Sequence, residues 1–165
     1  MITINIKTNS GLYEACKIVN RKDKRKYIQV LHVKNEKYFA TNSMTMLFGD
    51  TNLEDGQYFV IKLTKTIVEL LKNDETFDTP DFLSIIDQIK DYCHMTNQNN
   101  NLKSVGKIVY DIAREYNTAV NPFLLDVVDR NIKQLQYIKI DPSGSKPVGF
   151  VFDSFEYIVM PLYIG

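Results

Sequence analysis

The side chains of this sequence whose types could carry out bond-making chemistry are His32 and His94, Cys16 and Cys93, and the acids Asp126 and Asp129. Their spacing does not support it. A Cys–His pair needs two side chains in contact, whereas Cys93 and His94, neighbours at a predicted helix end, point apart. His32 falls inside a predicted strand with no partner nearby. The cysteines show neither C-x-x-C nor C-x-x-H spacing, so no zinc site and no disulfide framework is indicated. Asp126 and Asp129 share a helix face with Arg130 and Lys133, the pattern of surface ion pairing. No G-x-S-x-G, H-E-x-x-H, P-loop or G-x-G-x-x-G pattern occurs. The residues argue for no enzyme, no metal and no cofactor.

The chemistry that is present is electrostatic and apolar. Lys17, Arg21, Lys22, Lys24, Arg25 and Lys26 crowd one short segment against a single acid, Asp23. Clustered cations attract phosphates by releasing counterions, and a solvated helix-to-strand connection is the competing reading. Over the whole chain 20 basic and 20 acidic residues cancel. A uniformly basic nucleic-acid binder is thereby excluded, and any DNA contact is left to local patterning. The ten tyrosines and nine phenylalanines fall mainly at strand positions, which favours sheet core over base stacking.

Residues 146–165 read as a hairpin, with strands at about 147–152 and 155–162 around Asp153-Ser154. Pro161 cannot donate to a ladder, so it marks an edge or the end of pairing. Leu162 and Ile164 beyond it have little sheet left to cover them, and an exposed apolar tail is a docking surface; a last strand tucked into its own core is the alternative. Alternation sets Ile158, Met160 and Leu162 on one face. On the other it sets Tyr157, Val159 and Pro161, with Tyr157 and Val159 inward against Phe150 and Phe152.

The elements that must position these residues follow from period and caps. Ile2, Ile4 and Ile6 share one face of a first strand. Ser10 caps a helix from Gly11 to about Asn20, with Leu12, Cys16 and Val19 as its apolar stripe and Glu14, Lys17 and Arg21 opposite. Strands are expected at Tyr27 to Val33, Lys37 to Thr41, Met44 to Phe48 and Tyr58 to Leu63, with turns at Asn35-Glu36 and Asp55-Gly56. Ile67 to Leu71 fits a short helix by its spacing. After Thr79-Pro80-Asp81, helices are predicted at Phe82 to Cys93 and Ser104 to Tyr116, the second with the stripe Val105, Ile108, Val109, Ile112 and Tyr116. An exposed polar loop, Asn97 to Asn101, separates them. Asn121 and Pro122 start another helix, and Tyr137 to Ile140 lies in a strand at about 135–140. At 165 residues and 44% apolar the chain can bury one core. The N-terminus lacks a signal-peptide pattern, no apolar run approaches the roughly 20 residues of a membrane span, and two free thiols suit a reducing compartment. The expectation is a cytoplasmic protein.

Tyr157-Ile158-Val159-Met160-Pro161-Leu162 resembles the terminal strand of the bacterial DNA polymerase III beta subunit, the sliding clamp. Asn121-Pro122-Phe123-Leu124-Leu125-Asp126-Val127-Val128 looks like that family's last helix, followed by a strand and a Pro-Val hairpin, here Lys146-Pro147-Val148. Lys37-Tyr38-Phe39-Ala40-Thr41-Asn42 resembles its first half-domain, and Asp55 to Val60 and Pro80-Asp81-Phe82 are similar to linking segments of clamp-like proteins. The likeness covers about residues 1–83 and 121–164. It implies an α+β, DNA-clamp-like fold of two strand–helix–strand units, with residues 1–165 as one domain and a helical insertion at about 82–118. It also makes Ile67 to Leu71 a strand.

Function follows as an expectation from the resemblance: a non-enzymatic clamp-like protein in DNA replication, touching duplex DNA weakly and without reading sequence. Lys17, Arg21, Lys22, Lys24 and Arg25 would supply the DNA contacts. Ile158, Met160, Pro161 and Leu162 would line part of the pocket that receives short clamp-binding peptides of replication proteins. A clamp ring uses six domains, so this chain would close one by self-association of about six copies in head-to-tail contact. Two rival readings share the fold: a phage or mobile-element modulator of a host clamp, and a protein–protein adaptor without DNA contact.

Overall fold

The structure is a computed structural model that describes residues 1–96 and 102–162; the expected loop at Asn97 to Asn101 and the tail residues Tyr163, Ile164 and Gly165 lie outside them. The chain divides into two compact units, Met1–Phe82 and Leu83–Gly165.

The first unit opens with β1 (Ile2–Asn5) and α1 (Gly11–Ile18), and a 3₁₀ turn at Lys26–Ile28 leads into β2 (Leu31–Lys34). Then come β3 (Lys37–Thr41), β4 (Thr45–Asp50), β5 (Gly56–Leu63) and β6 (Ile67–Lys72). The strands pair antiparallel in the order β1-β6-β5-β2-β3-β4. Ser10 starts α1 as expected: its Oγ accepts from the Tyr13 backbone N at 3.3 Å. Asn35 and Glu36 turn β2 into β3 with φ of 52° and 60°, the left-handed pair that a tight two-residue hairpin demands. The ambiguous Ile67 to Leu71 is a strand, since Ile2, Thr3, Ile4 and Asn5 pair with Leu70, Glu69, Val68 and Ile67.

Two expectations in this unit are corrected. Tyr27 to Val30 is not strand: Ile28 N donates to the Arg25 carbonyl and Gln29 N to that of Lys26, both at 3.0 Å, which spends the donors a ladder would need. Glu14 does not lie on the solvent face of α1. The buried positions are Gly11, Glu14, Ala15 and Cys16, a stripe at helical spacing centred one residue away from the one the apolar residues suggested.

His32, expected to lack a partner, has one on the 3₁₀ turn that precedes its strand. Its ring is buried in β2, and Nε2 donates to the Tyr27 carbonyl at 2.7 Å. Phe82 covers it at a centroid distance of 5.2 Å and stacks in turn on Phe39 at 4.9 Å. The connector to Phe82 is held by Gln57, whose amide mimics a strand: Phe77 N donates to Oε1 at 2.9 Å, and Nε2 donates to the Phe77 carbonyl at 2.8 Å.

The second unit follows α2 (Phe82–Ile89), which starts on the last residue of the first. It contains β7 (Cys93–Thr96), α3 (Val105–Tyr116), a 3₁₀ turn at Pro122–Leu124, α4 (Asp126–Arg130) and a further 3₁₀ turn at Ile132–Gln134. It ends with β8 (Leu135–Ile140), β9 (Val148–Phe152) and β10 (Phe155–Val159). The order β10-β9-β8-β7 is antiparallel throughout. The stretch expected as inserted helices does hold α2 and α3, and between them a strand that the helical reading missed. Cys93 to Thr96 pairs residue by residue with Ile140 to Tyr137, so α2 ends at Ile89 rather than Cys93. The helix expected after Asn121 is shorter as well, a capped 3₁₀ turn and then α4. Without the β5–β6 hairpin, the first sheet reads β1-β2-β3-β4. Each unit is then an outer strand, a helix and three further strands, with β7 and α3 in the places of β1 and α1.

Gly149 leaves room where a side chain would be crowded. A Cβ there would lie 3.2 Å from Ile89 Cδ1 and 3.4 Å from Lys139 Cβ. The bare backbone lets Lys139 cross β9 to Glu156 at 2.5 Å, a nearly buried ion pair with side-chain exposures of 11% and 15%. Removing one partner of such a pair costs about 3–5 kcal/mol, because the other charge is left stranded.

Two measurements follow. Burial lowers the pKa of His32, and its Nδ1 has no hydrogen-bond partner among the described residues. The neutral ring therefore contributes stability that is complete above the ordinary value of about 6.5 and is lost as pH falls from there through the lowered folded value. The melting temperature should drop between about pH 7.5 and about pH 5.5, and the drop should shrink in His32→Gln. Cys16 is buried, its pKa pushed up to about 12 by that burial, and Cys93 is exposed. A thiol reagent should label the native chain on Cys93 alone and reach Cys16 only in denaturant; native labelling of Cys16 would contradict the packing of α1.

Candidate nucleic-acid and peptide interfaces

The five expected phosphate ligands sit on the last turn of α1 and the loop after it. Lys17, Arg21, Lys22, Lys24 and Arg25 are all exposed, as is Lys26. The loop is shaped by its own side chains: Lys22 N donates to Asn20 Oδ1 at 3.0 Å, and Arg25 N to Asp23 Oδ1 at 2.8 Å. These Asx turns hold the chain in a tight return without regular structure.

The cations are not equivalent. Arg25 grips Asp23 with both arms of its fork, Nε to Oδ1 and Nη2 to Oδ2 at 2.9 Å each, and gives Nη1 to Ser43 Oγ at 2.7 Å. Those hydrogen bonds hold the Asp23 carboxyl down at about 2. Arg25 is thus a strut for the loop, with its charge already matched. Lys17 lies over the Tyr13 ring at 5.5 Å, Arg21 over Phe59 at 6.0 Å and Lys26 over Phe77 at 5.1 Å. Lys17 and Arg21 each lie over a half-buried ring and are themselves exposed, which leaves their remaining donors to water.

The chain end differs from its expected alternation. Tyr157, Ile158 and Val159 are all buried, Ile158 at 2% exposure, so both faces of β10 are covered and Ile158 offers nothing to a partner. Tyr157 pairs with Phe150, as expected, and its hydroxyl donates to the Leu124 carbonyl at 2.7 Å. Pairing stops at Val159, two residues before Pro161. Beyond it Met160 and Leu162 are exposed at 49% and 45%, and Pro161 is half-buried. Leu162 N donates to the Ala119 carbonyl at 2.7 Å, which ties the end to the segment before Asn121.

Sequence reasoning missed Phe123. It is 89% exposed on the 3₁₀ turn that Asn121 Oδ1 caps at 3.0 Å. It also missed the outward face of α3, where Lys107, Tyr110 and Arg114 are exposed. The pair Asp126 and Asp129 is exposed with Arg130 and Lys133. Among the described residues, no group of three or more His, Cys, Asp or Glu is placed to hold a metal ion. No helix among them is long and apolar enough to cross a membrane.

This arrangement has counterparts among solved structures. The fold is similar to DNA polymerase III subunit beta from Borrelia burgdorferi, at 14% identity and a TM-score of 0.56, over 100% of this chain and 65% of that one. It is similar to the beta sliding clamp of C. crescentus, at 12% and 0.56, over 98% of this chain and 66% of that one. The Helicobacter pylori beta clamp matches at 10% and 0.56, over 98% and 66%. At these identities the likeness shows the fold, and the fold is that of the sliding clamps. The chain spans just under two thirds of the length of these clamp chains. No family model matches the sequence, and no curated protein matches it.

The burial pattern makes the chain end testable. Met160→Ser with Leu162→Ser should change stability by no more than about 0.5 kcal/mol, as exposed positions do. Ile158→Ala should cost about 2–5 kcal/mol. Chemical denaturation of the three chains measures both, and unfolding of the double variant would make those two side chains core.

Proposed function

We propose that this chain is a non-enzymatic, sliding-clamp-type module of DNA replication, one clamp-like domain that works in the cytoplasm in more than one copy. The observation that carries the reading is the likeness to clamp structures along essentially the whole chain, with an outer strand, a helix and three strands recurring in each unit and the β5–β6 hairpin added in the first. DNA would be met by Lys17, Arg21, Lys22 and Lys24, exposed cations that, unlike Arg25, are not tied to Asp23. Met160, Pro161 and Leu162 would receive apolar peptides from replication proteins, where the flexible Met160 thioether adapts to varied side chains.

Self-association has its own support. β1 and β7 are the outermost strands at one end of their units' sheets, and neither Ile2-Thr3-Ile4-Asn5 nor Cys93-His94-Met95-Thr96 holds a formal charge. Monomeric proteins usually guard such edges with lysine, proline or a bulge. Two uncharged edges suit pairing with further copies.

A second reading, a clamp-fold adaptor that binds another protein without touching DNA, is favoured by Phe123, because a rigidly held exposed aromatic is a typical interface anchor. The mass of the protein in solution, alone and mixed with a replicative clamp, separates the two. The first reading predicts a multimer that Thr3→Lys reduces; the second predicts a monomer that joins the added clamp. Lys17→Glu with Arg21→Glu should weaken retention on circular duplex DNA and lower the salt slope by about one for each lost contact. Unchanged retention would move the function away from α1.

A further inference from the structure

Ile2, Ile4 and Ile6 share one face of the first strand, at the margin of its sheet. β1 is the outermost strand there, with β6 as its neighbour. Just past β1, Ile6 continues the ladder, its N donating to the Thr66 carbonyl at 2.8 Å. In an antiparallel pair the backbone groups of successive residues point to alternate sides. With Ile6 bonded toward β6, Ile4 and Ile2 point their N–H and C=O the same way, and those of Thr3 and Asn5 turn outward. Both residues are exposed. The outer edge of β1 is thus a row of unpaired donors and acceptors. From Ile2 to Ile6 it carries no charge, proline or bulge to guard it.

The side chains add an apolar margin. Ile2 lies beside Leu70 and, one strand further, Val60; Ile4 lies beside Val68 and Leu63. Val68 and Leu70 are fully buried, whereas Ile2 is 36% exposed and Ile4 and Ile6 are half-buried. The covered face of the sheet therefore runs out through β1 with its last row of isoleucines incompletely sealed. Lys7 stands past the end of that row, exposed, and Glu69, beside Thr3 on β6, is already matched by Lys62 at 3.5 Å.

This edge is complementary to itself. When a second β1 is laid antiparallel with Ile4 opposite Ile4, Ile2 falls opposite Ile6 and Thr3 opposite Asn5. The outward groups of Thr3 and Asn5 then meet as hydrogen-bonded pairs that exchange both N–H···O bonds. The isoleucines meet as non-hydrogen-bonded pairs, where side chains approach most closely. A slip of one residue sets outward groups against inward ones and isoleucine against threonine or asparagine. A slip of two leaves an isoleucine of each copy without its counterpart. β7 matches the row less well, since Met95 is already fully buried and His94 and Thr96 are polar.

We propose that β1 is a homodimer seam, in which two copies of this chain pair antiparallel from Ile2 to Ile6 with the two-fold axis at Ile4. The inference rests on the reading that the protein works in more than one copy, and it assigns the strand and the register. An interface made by the same strand from both sides is isologous and closes at two copies. One short strand buries little beside a standard protein interface, so the dimer dissociates on dilution.

The test is disulfide trapping on the full chain carrying Cys93→Ser, which removes the exposed thiol and keeps the buried Cys16. Mass is followed alongside by light scattering, from concentrated to dilute solution. Opposed Cα atoms of a non-hydrogen-bonded pair lie about 4.5 Å apart, within reach of a disulfide. Ile4→Cys should cross-link to itself on mild oxidation. Ile2→Cys should not, yet should do so when mixed with Ile6→Cys. Thr3→Pro removes an outward donor, a change that edge strands tolerate, and should return the mass to one copy with circular dichroism unchanged. A mass above one copy, with neither Ile4→Cys nor the Ile2→Cys and Ile6→Cys mixture cross-linking, overturns the β1 seam and leaves self-association to another edge. A single-copy mass at every concentration, with no cross-link, overturns both the seam and the reading it rests on.

Discussion

A helix that buries one face thereby fixes the direction of every charge it carries, and the rest of this protein's surface chemistry hangs on that constraint. In α1 the inward set is Gly11, Glu14, Ala15 and Cys16; in α3 it includes Ile108, Asp111 and Ile112. Each inward set contains an acid. Burying a carboxylate is costly unless it is paired, and in α3 the pairing reaches outward to Lys107 and Arg114. Each helix hides its central acid and displays its cations. A chain with no net charge thus presents basic helix faces, with many of its acids in turns and strand ends.

The strands obey the matching constraint of period two. In the second unit Met95, Ile138, Phe150 and Tyr157 lie on one face of the ladder, and His94, Lys139, Gly149 and Ile158 on the other. A sheet wetted on its second face would leave Ile158 exposed. Instead Ile89 reaches that face at Gly149, Lys139 pairs across it with Glu156, and Ile158 is sealed. Near the chain end, apolar surface is offered where the ladder has ended, at Met160 and Leu162, and at Phe123 on its capped turn.

The parts of this fold that were legible in the sequence are those where one local rule acts alone. Ser10, Ser104 and Asn121 cap as their side chains dictate, and Asn35-Glu36 turns as a two-residue hairpin must. The clamp-like order of elements was readable from the Met-Pro ending and the Asn-Pro helix start, which is how Ile67 to Lys72 came out as strand despite its helical spacing. The misses occur where tertiary pairing overrides local pattern. Cys93 to Thr96 continues an apolar helix in composition, yet Met95 is buried and His94 exposed, an alternation too short to see without β8 beside it. Glu14 and Asp111 look like solvent-face acids until their helices are packed. Arg25 looks like the other cations of its run, and only the fork onto Asp23 sets it apart.

Net neutrality bears on how such a surface could hold DNA. At physiological salt charges are screened beyond roughly 8 Å, so the few cations of one helix end would act alone and, on the proposed reading, one copy would bind a phosphate backbone weakly. Affinity per chain cannot rise much without a basic surface, which this composition lacks. Repetition is the remaining route: copies joined at their edges present the same few cations many times, and each contact after the first is intramolecular. Weak individual contacts are then an advantage, because a protein held by topology and many shallow interactions can move along its ligand. On the proposed reading, the uncharged edges of β1 and β7 and the sparse cations of α1 would be consistent parts of one design, in which retention would come from assembly and mobility from the weakness of each contact.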